Sequence, residues 1–399
     1  MHTLFYLGII FILGSLVQWL SPKLSLPKVV GYIILGVIIG PQLLNIIPES
    51  FVHKSHFVID MSLSLIAVMI GAKLKLSYLK EIGKQVLSIT LLESTFAFIS
   101  VSLGFYLLSD ILSLPNEHDL IISILFGGLA AATAPAATMA VIRELKAKGK
   151  FTMTLLAVVA LDDAMALILF AIAITLSNSI LSLDDFHFTT LFDTFMVILS
   201  STLLGIVGAV LSSLIDKLFS HHKGMETIST LGLVFIVYSL SITWALEPLF
   251  SALIMGVVMT NFSNDFDLVQ EEIDNHLEEI IFMLFFILSS MHLKLDMIST
   301  VPYIIIAYVL LRFMGKMSGA YLGSKLSNAD KDVQKNLGIA LFPQAGLAIG
   351  LALSLQNEAA FAPIAPFILN VIIATTIIHE IIGPFLTKYV LEKSDQTRL

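Results

Sequence analysis

Long apolar runs separated by short polar breaks follow one another along the whole chain. Most runs approach the ~20 residues that a helix needs to cross a bilayer, and none alternates as a barrel strand does. We therefore predict an all-α polytopic membrane protein with about thirteen transmembrane helices. The predicted spans are residues 3–20, 27–45, 57–74, 85–109, 119–142, 151–177, 188–215, 227–245, 249–263, 277–293, 301–323, 334–354 and 363–387. The first span is interpreted as retained, with a cleaved signal peptide as the alternative.

The basic residues are distributed unevenly over the predicted loops. Eighteen of the 22 Lys and Arg residues follow odd-numbered spans, two follow even-numbered spans, and two lie inside a span. Cytoplasmic loops of membrane proteins carry the excess of positive charge. This pattern predicts a multi-pass protein of the cell (inner or plasma) membrane, with the N-terminus outside and the C-terminus in the cytoplasm.

The composition agrees with this class. Of the 399 residues, 57% are hydrophobic and 13% are charged, whereas soluble domains contain about 25% charged residues. The chain has no cysteine, which excludes a disulfide framework and a thiolate metal site.

Two adjacent carboxyl groups, Asp162 and Asp163, lie in the middle of the sixth span. An ionisable residue at this depth costs at least ~2.5–3.5 kcal/mol to insert, so it indicates a functional site. Neighbouring residues on a helix point about 100° apart, so one carboxyl can face a cavity while the other faces a partner. The pair is the most specific signal in the sequence.

The eleventh span supplies positive charge at a similar depth. Arg312 and Lys316 are four residues apart and therefore share one helix face, and Gly315 lets another helix approach closely. Lysine can release its proton when buried, whereas arginine does not. We therefore expect Lys316 to form a switchable ion pair and Arg312 a fixed bridge to an acid such as Glu93 or Glu380. Glu93, in the fourth span, is expected to be a buried structural partner of Arg312 or Lys316.

Two spans contain helix-breaking residues. Pro135 follows Ala131-Ala132-Thr133-Ala134 in the fifth span, and Pro343-Gln344 lies in the twelfth span. A proline inside a helix removes a backbone hydrogen bond, and interrupted helices at matching positions mark the binding site of many transporters. Pro135, Pro343 and Gln344 are therefore predicted to lie at two breaks beside the site.

These residues resemble those of the bacterial monovalent cation:proton antiporters of the NapA type, which are related to NhaA-type exchangers and to the membrane domain of Kef-type exporters. The likeness covers nearly the whole chain. It includes Leu26-Pro27-Lys28-Val29-Val30-Gly31-Tyr32 to Gly40-Pro41, the pair Asp162-Asp163, and the step Gly315-Lys316. One departure is Ala134, where the NhaA type has an acid just after the crossing threonine.

The resemblance implies an NhaA-like fold with inverted-topology repeats and two broken helices that cross. It divides the single exchanger domain, residues 1–399, into a dimerisation or scaffold part (1–80 and 188–293) and a core or transport part (84–177 and 301–390). It also implies a homodimer and an elevator-like movement of the core. Asp163 would be the main carrier of cation and proton, Asp162 would pair with Lys316, and Thr133 would help to bind the ion.

The function that follows is secondary active exchange of Na+ or Li+ for H+, in which protons and the cation compete at Asp162 and Asp163. Paired aspartates imply electrogenic exchange in this family. The expected partners are the transported ions and the lipid bilayer. No enzyme activity, resident cofactor or nucleic-acid partner is expected. Alternatives are a K+/H+ antiporter, a sodium-coupled organic anion symporter, and a non-transporting scaffold or sensor subunit. An intramembrane aspartyl protease is disfavoured. Such a protease needs aspartates on two facing helices and a Gly-x-Gly-Asp segment, and this sequence has neither.

Overall fold

The computed structural model describes residues 3–24, 26–112, 114, 118–182, 188–219, 225–263, 266–273, 277–292, 301–355 and 360–394. Predicted loops and span ends that fall in the gaps lie outside the described residues. Within the described part the chain is helical and contains no strand.

The helices of the first half are α1 (Thr3–Leu20), α2 (Lys28–Ile39), α3 (Glu49–Lys54), α4 (His56–Ala72), α5 (Leu76–Leu107), α6 (Ser109–Leu112), α7 (Asp119–Ala130), α8 (Pro135–Glu144) and α9 (Lys150–Ser182). Those of the second half are α10 (Phe188–Phe219), α11 (Met225–Thr243), α12 (Pro248–Phe262), α13 (Phe266–Glu272), α14 (Glu278–Ser290), α15 (Pro302–Leu326), α16 (Lys331–Ala340), α17 (Gly346–Ser354) and α18 (Ala365–Ser394).

Eight helical segments of the described residues are long and apolar enough to cross a membrane. Three further apolar helices, α2, α4 and α12, are shorter. The all-helical class is thus confirmed, whereas the number of thirteen transmembrane helices and the inverted repeats stay predictions.

The chain forms two compact units. The first comprises Met1–Glu81, Met139–Glu144 and Met196–Leu293, and the second comprises Ile82–Thr138, Leu145–Phe195 and Lys294–Leu399. The assignment of scaffold and transport roles to parts of the chain stays a prediction.

Within the first unit, helices pack at short range through small residues. A Cβ atom added to Gly256 of α12 would lie 2.3 Å from the carbonyl oxygen of Val68 in α4. Without a hydrophobic force between helices in lipid, such close backbone contact provides the packing energy.

The second unit has an apolar core between α5, α7, α9, α15, α17 and α18. Phe105, Phe126 and Tyr308 form its aromatic centre, with the two phenylalanine rings 4.8 Å apart. Helix α15 packs directly on α5, because a Cβ atom at Gly315 would come within 2.6 Å of the Cα atom of Ala97. The sequence predicted this close approach from Gly315. The contact fixes the neighbouring residues of α15 in position relative to α5.

Candidate functional site

The two aspartates lie in the middle of α9 and are buried. Asp162 is fully inaccessible and Asp163 is 4% exposed. Asp162 is twelve residues from the first residue of α9, which corresponds to about 18 Å along the helix axis. Both carboxyl groups are therefore held far from either end of a long apolar helix.

Lys316 lies at the centre of a buried polar cluster. Its Nζ atom is 2.8 Å from Oδ2 of Asp162 and 2.7 Å from Oε2 of Glu93. The same ammonium donates to Oγ1 of Thr133 at 3.0 Å and to the carbonyl oxygen of Ala131. The three charged side chains are fully inaccessible to solvent. A buried ammonium needs paired acceptors of this kind, since an unpaired charge is costly in a medium of low dielectric constant.

Ser94 connects the two acids that face Lys316. Its hydroxyl oxygen is 2.7 Å from Oε1 of Glu93 and 2.6 Å from Oδ1 of Asp162. Glu93 and Ser94 are carried by α5, Asp162 by α9 and Lys316 by α15. The cluster therefore joins three helices at one point.

Both predicted breaks are present, and the first of them contributes Ala131 and Thr133 to this cluster. Helix α7 ends at Ala130 and α8 begins at Pro135. Proline suits the first position of a helix, because the backbone N–H that it lacks would have no helical acceptor there. Helix α16 ends at Ala340 and α17 begins at Gly346. The two non-helical segments are in contact, since the backbone N–H of Ala134 donates to the carbonyl oxygen of Pro343 at 3.0 Å.

Gln344 stabilises the same contact. Its Nε2 atom donates to the carbonyl oxygen of Leu129 at 2.8 Å and lies 3.1 Å from the hydroxyl oxygen of Tyr308. Carbonyl groups at the ends of broken helices lack their helical donors, and the side-chain amide supplies one.

Arg312 does not bridge to an acid, so that expectation was wrong. Among the described residues, no carboxylate lies within ion-pair distance of its guanidinium group. Instead it donates to the carbonyl oxygens of Ala130 at 3.0 Å, Ala132 at 2.6 Å and Phe342 at 2.7 Å. The physical reason is that the C-terminal ends of α7 and α16 present unpaired carbonyls with partial negative charge. Five guanidinium donors in a fixed fork suit such a set of acceptors.

Glu93 contacts Lys316, one of its two expected partners, rather than Arg312. Glu380, the other acid expected to bridge to Arg312, is likewise not paired with it among the described residues. Helix α18 continues to Ser394, two turns beyond the predicted end at residue 387. The Glu380 side chain is consequently deep in the helix and 4% exposed.

A sequence model of the family described as sodium/hydrogen exchanger, transmembrane, matches residues 8–393. The chain belongs to this family. As a member of it, the chain is a membrane-spanning transporter and not an enzyme. The resemblance to cation:proton antiporters is thereby confirmed.

Individual relatives of this exchanger are distant. The Na+/H+ antiporter 1 of Methanocaldococcus jannaschii is 26% identical over 235 residues, which are 58% of this chain and 52% of that protein. This match thus spans about half the length of the relative. The Na+/H+-K+ antiporter GerN of Bacillus cereus is 22% identical over 400 residues, 98% of this chain and 97% of its own.

A solved structure has the same fold as the exchanger. The sodium proton antiporter MjNhaP1 of M. jannaschii, determined at pH 8, superposes with a TM-score of 0.68 at 22% identity, covering 99% of this chain and 96% of that one.

Sequence reasoning missed two residues of this candidate site. Ser94 follows Glu93 directly, and a hydroxyl beside a membrane carboxyl is a usable signal. Tyr308 lies four residues before Arg312, on the same helix face. The backbone carbonyls of residues 130 to 132 had no signal of their own, because every residue carries one.

Proposed function

We propose that the chain exchanges Na+ for H+ across the membrane at a site formed by Asp162, Asp163 and Thr133. The observation that carries this proposal is the position of the Lys316 ammonium, which contacts Asp162, Glu93, Thr133 and the Ala131 carbonyl oxygen in a site closed to solvent. The names of relatives that are described as Na+/H+ antiporters support it further.

The acceptors around Lys316 are chemically suited to a small cation. They are carboxylate, hydroxyl and carbonyl oxygens, which are the ligands that hard cations prefer. The ammonium of Lys316 occupies the place that a cation would need in order to use the same oxygens. Binding of Na+ therefore requires Lys316 to release Asp162, by moving away or by giving up its proton.

A charge count supports competition between Na+ and protons. Asp162, Asp163 and Glu93 provide three carboxyl groups, while Lys316 and Arg312 provide two positive charges. A third positive charge, whether a proton or a monovalent cation, balances the set. Since a charged site is expensive to carry through the membrane, only the loaded forms cross, and inward proton flow drives cation export.

The hydrogen bonds of Ser94 support a shared proton. A hydroxyl group has a single proton to donate, yet the Ser94 oxygen is within hydrogen-bond distance of carboxyl oxygens of both Glu93 and Asp162. One of these contacts is satisfied by the Ser94 proton, and the other by a proton on the carboxyl group itself. Glu93 is thus part of the proton-binding site as well as a structural partner of Lys316.

The further details of the proposal come from the family. Electrogenic exchange, which the paired aspartates favour, requires Na+ to displace the proton of Lys316 as well as the carboxyl proton, so that two protons move for each Na+. Alternating access would follow an elevator-like movement in a homodimer. The name of GerN includes K+, so K+/H+ exchange is the second candidate for the cargo.

The decisive experiment uses purified protein in proteoliposomes with an imposed pH gradient and a lumenal pH dye. Na+, Li+ or K+ is added to wild type, to Asp163→Asn and to Asp193→Asn. Asp193 lies on α10 and is exposed, so its variant is the matched control. We expect Na+ to collapse the gradient in wild type and control but not in Asp163→Asn.

Two results would change the proposal. A response to K+ alone would assign K+/H+ exchange. No response to any of the three cations in folded wild-type protein, or an unchanged response in Asp163→Asn, would overturn the assigned site.

A further inference from the structure

The last helix carries a stripe of buried polar side chains that the exchange mechanism above does not use. Thr376, Glu380 and Thr387 lie on one face of α18, because successive members are four and seven residues apart, and His379 borders this face three residues after Thr376. All four are at most 4% exposed. Gly383 lies on the same face and packs against Pro343, since a Cβ atom there would be 2.7 Å from the proline ring. The stripe therefore faces the break between α16 and α17.

Several polar atoms along this face have no hydrogen-bond partner among the described residues. They are Oγ1 of Thr376, Nε2 of His379 and, in the break itself, Oε1 of Gln344. Buried polar atoms in proteins are almost always paired with protein groups or ordered water. A line of unpaired polar atoms in the membrane interior is consequently a place for water molecules.

Glu380 is the one carboxyl group in this stripe. Within the part of the chain that the structure describes, its side chain has no hydrogen bond and no ion pair. The helices packed against α18 are α9, α15, α16 and α17. Their charged residues are Asp162 and Asp163, Arg312 and Lys316, and those at helix ends: Lys150, Lys325, Lys331, Asp332 and Lys335. None of them pairs with Glu380.

The stripe is joined to the cation site through Phe342. The carbonyl oxygen of Phe342 accepts a hydrogen bond from Arg312, and its ring lies 4.8 Å from the ring of His379. The neighbouring Pro343 contacts both Gly383 and Ala134. Glu380 therefore lies behind the same break that borders the aspartate–lysine cluster. The stripe leads from there to Thr387, toward the C-terminal end of α18.

We infer that Glu380 is a proton-carrying group that takes up and releases protons between the aqueous side at the C-terminal end of α18 and the Asp162–Asp163 site. An ionised carboxylate with no partner is costly in the membrane, whereas the neutral acid can both donate and accept a proton. Water along Thr376, His379 and Gln344 would complete the path. The inference rests on the proposed Na+/H+ exchange and adds the route of its protons.

The test separates proton movement from cation movement. Wild type, Glu380→Gln, Glu380→Asp and Glu392→Gln are reconstituted in proteoliposomes. Each is assayed for Na+/H+ exchange with a pH dye, and for exchange of radioactive Na+ against unlabelled Na+ at equal pH. Glu392 lies on the same helix and is exposed, so its variant is the matched control.

We expect Glu380→Gln to slow Na+/H+ exchange by roughly 10-fold or more, while Na+/Na+ exchange changes by less than about 2-fold. Glu380→Asp should recover part of the rate, and Glu392→Gln should match wild type. A merely structural role of Glu380 would slow both exchange modes in parallel, and that result would overturn the inference. An unchanged rate of Na+/H+ exchange in Glu380→Gln, measured beside an active wild type and an inactive Asp163→Asn, would also overturn the inference. Inactive wild type would instead refute the proposed function on which the inference rests.

Discussion

The ammonium of Lys316 lies 2.8 Å from the carboxylate of Asp162, and both side chains are completely shielded from solvent. Glu93 is a second acid at 2.7 Å from the same ammonium. An ion pair in such a setting gives little net stability by itself, because desolvation of both groups offsets their attraction. Removing one partner is different, since it leaves the other charge without compensation.

Lys316→Met should therefore destabilise the protein by about 3–5 kcal/mol. The reason is that Asp162 and Glu93 lose their shared cation. The measurement is thermal unfolding of the purified protein in detergent, with Lys325→Met as the control, because Lys325 lies in the last turn of α15 and is exposed. Adding Glu93→Gln to Lys316→Met should recover part of the loss. Equal stability of Lys316→Met and wild type would contradict the observed pairing.

Arg312→Lys is expected to destabilise the protein although it preserves the charge. Lysine cannot reach the carbonyls of Ala130, Ala132 and Phe342 together, because it lacks the planar fork of arginine. Each unsatisfied buried carbonyl costs about 1–3 kcal/mol. We expect a lower Tm in detergent together with faster proteolysis near residues 131–134 and 341–345. If Arg312→Lys has the same Tm as wild type, the prediction is wrong and the positive charge alone holds the two breaks together.

Gly315→Ala should separate α5 from α15. The added Cβ atom would lie 2.6 Å from the Cα atom of Ala97, and backbone atoms cannot move aside without a shift of the helix. Since Glu93 and Lys316 lie on these two helices, both the Tm and the rate of exchange should fall. Gly350→Ala is the matched control, because a Cβ atom at Gly350 would meet nothing within 4 Å. Similar effects of the two substitutions would argue against tight packing at Gly315.

The raised pKa of Glu247 predicts that the stability of the protein depends on pH. This residue precedes α12, outside the apolar helices, and is half-buried. Burial raises the pKa of its carboxyl from 4.5 to about 7, and a hydrogen bond from the backbone of Leu249 opposes this only in part. Because the folded protein binds this proton more tightly, the group's contribution to stability is complete below pH 4.5 and is lost as the pH rises through 7.

Wild type should accordingly unfold at a lower temperature at pH 8 than at pH 5, by an amount equivalent to at most about 3 kcal/mol from this group. Partial solvent access reduces that figure. Glu247→Gln should remove this part of the pH dependence, which is measured as the difference in Tm between the two pH values. The exposed-site variant Glu392→Gln should retain it. An identical pH profile in Glu247→Gln and wild type would refute the prediction.

The order of apolar and polar residues is enough to predict that this protein lies in a bilayer and that it is built of helices. Runs of apolar residues interrupted by short polar segments leave no alternative to helices in a bilayer, since every backbone group must then be paired within its own segment. The sequence also indicated the breaks at Pro135 and Pro343, because a proline removes a backbone donor. This signal is not sufficient by itself, since Pro384 lies inside the continuous helix α18. Asp162, Asp163 and Lys316 could be named as candidate site residues for a similar reason, since a charge in the membrane is expensive in any fold.

Which side chains contact each other depends on how the helices pack, and this could not be predicted from the chain. Arg312 was expected to find an acid, and it binds the carbonyl ends of two helices that are far apart in the sequence. Glu93 contacts Lys316 directly and is linked to Asp162 through Ser94. Glu380 has no ion pair among the described residues and lies on the face of α18 that packs on Pro343. These outcomes depend on the rotation and spacing of packed helices. Small residues such as Gly315 set that spacing through contacts between distant segments, and no local pattern records which segments those are.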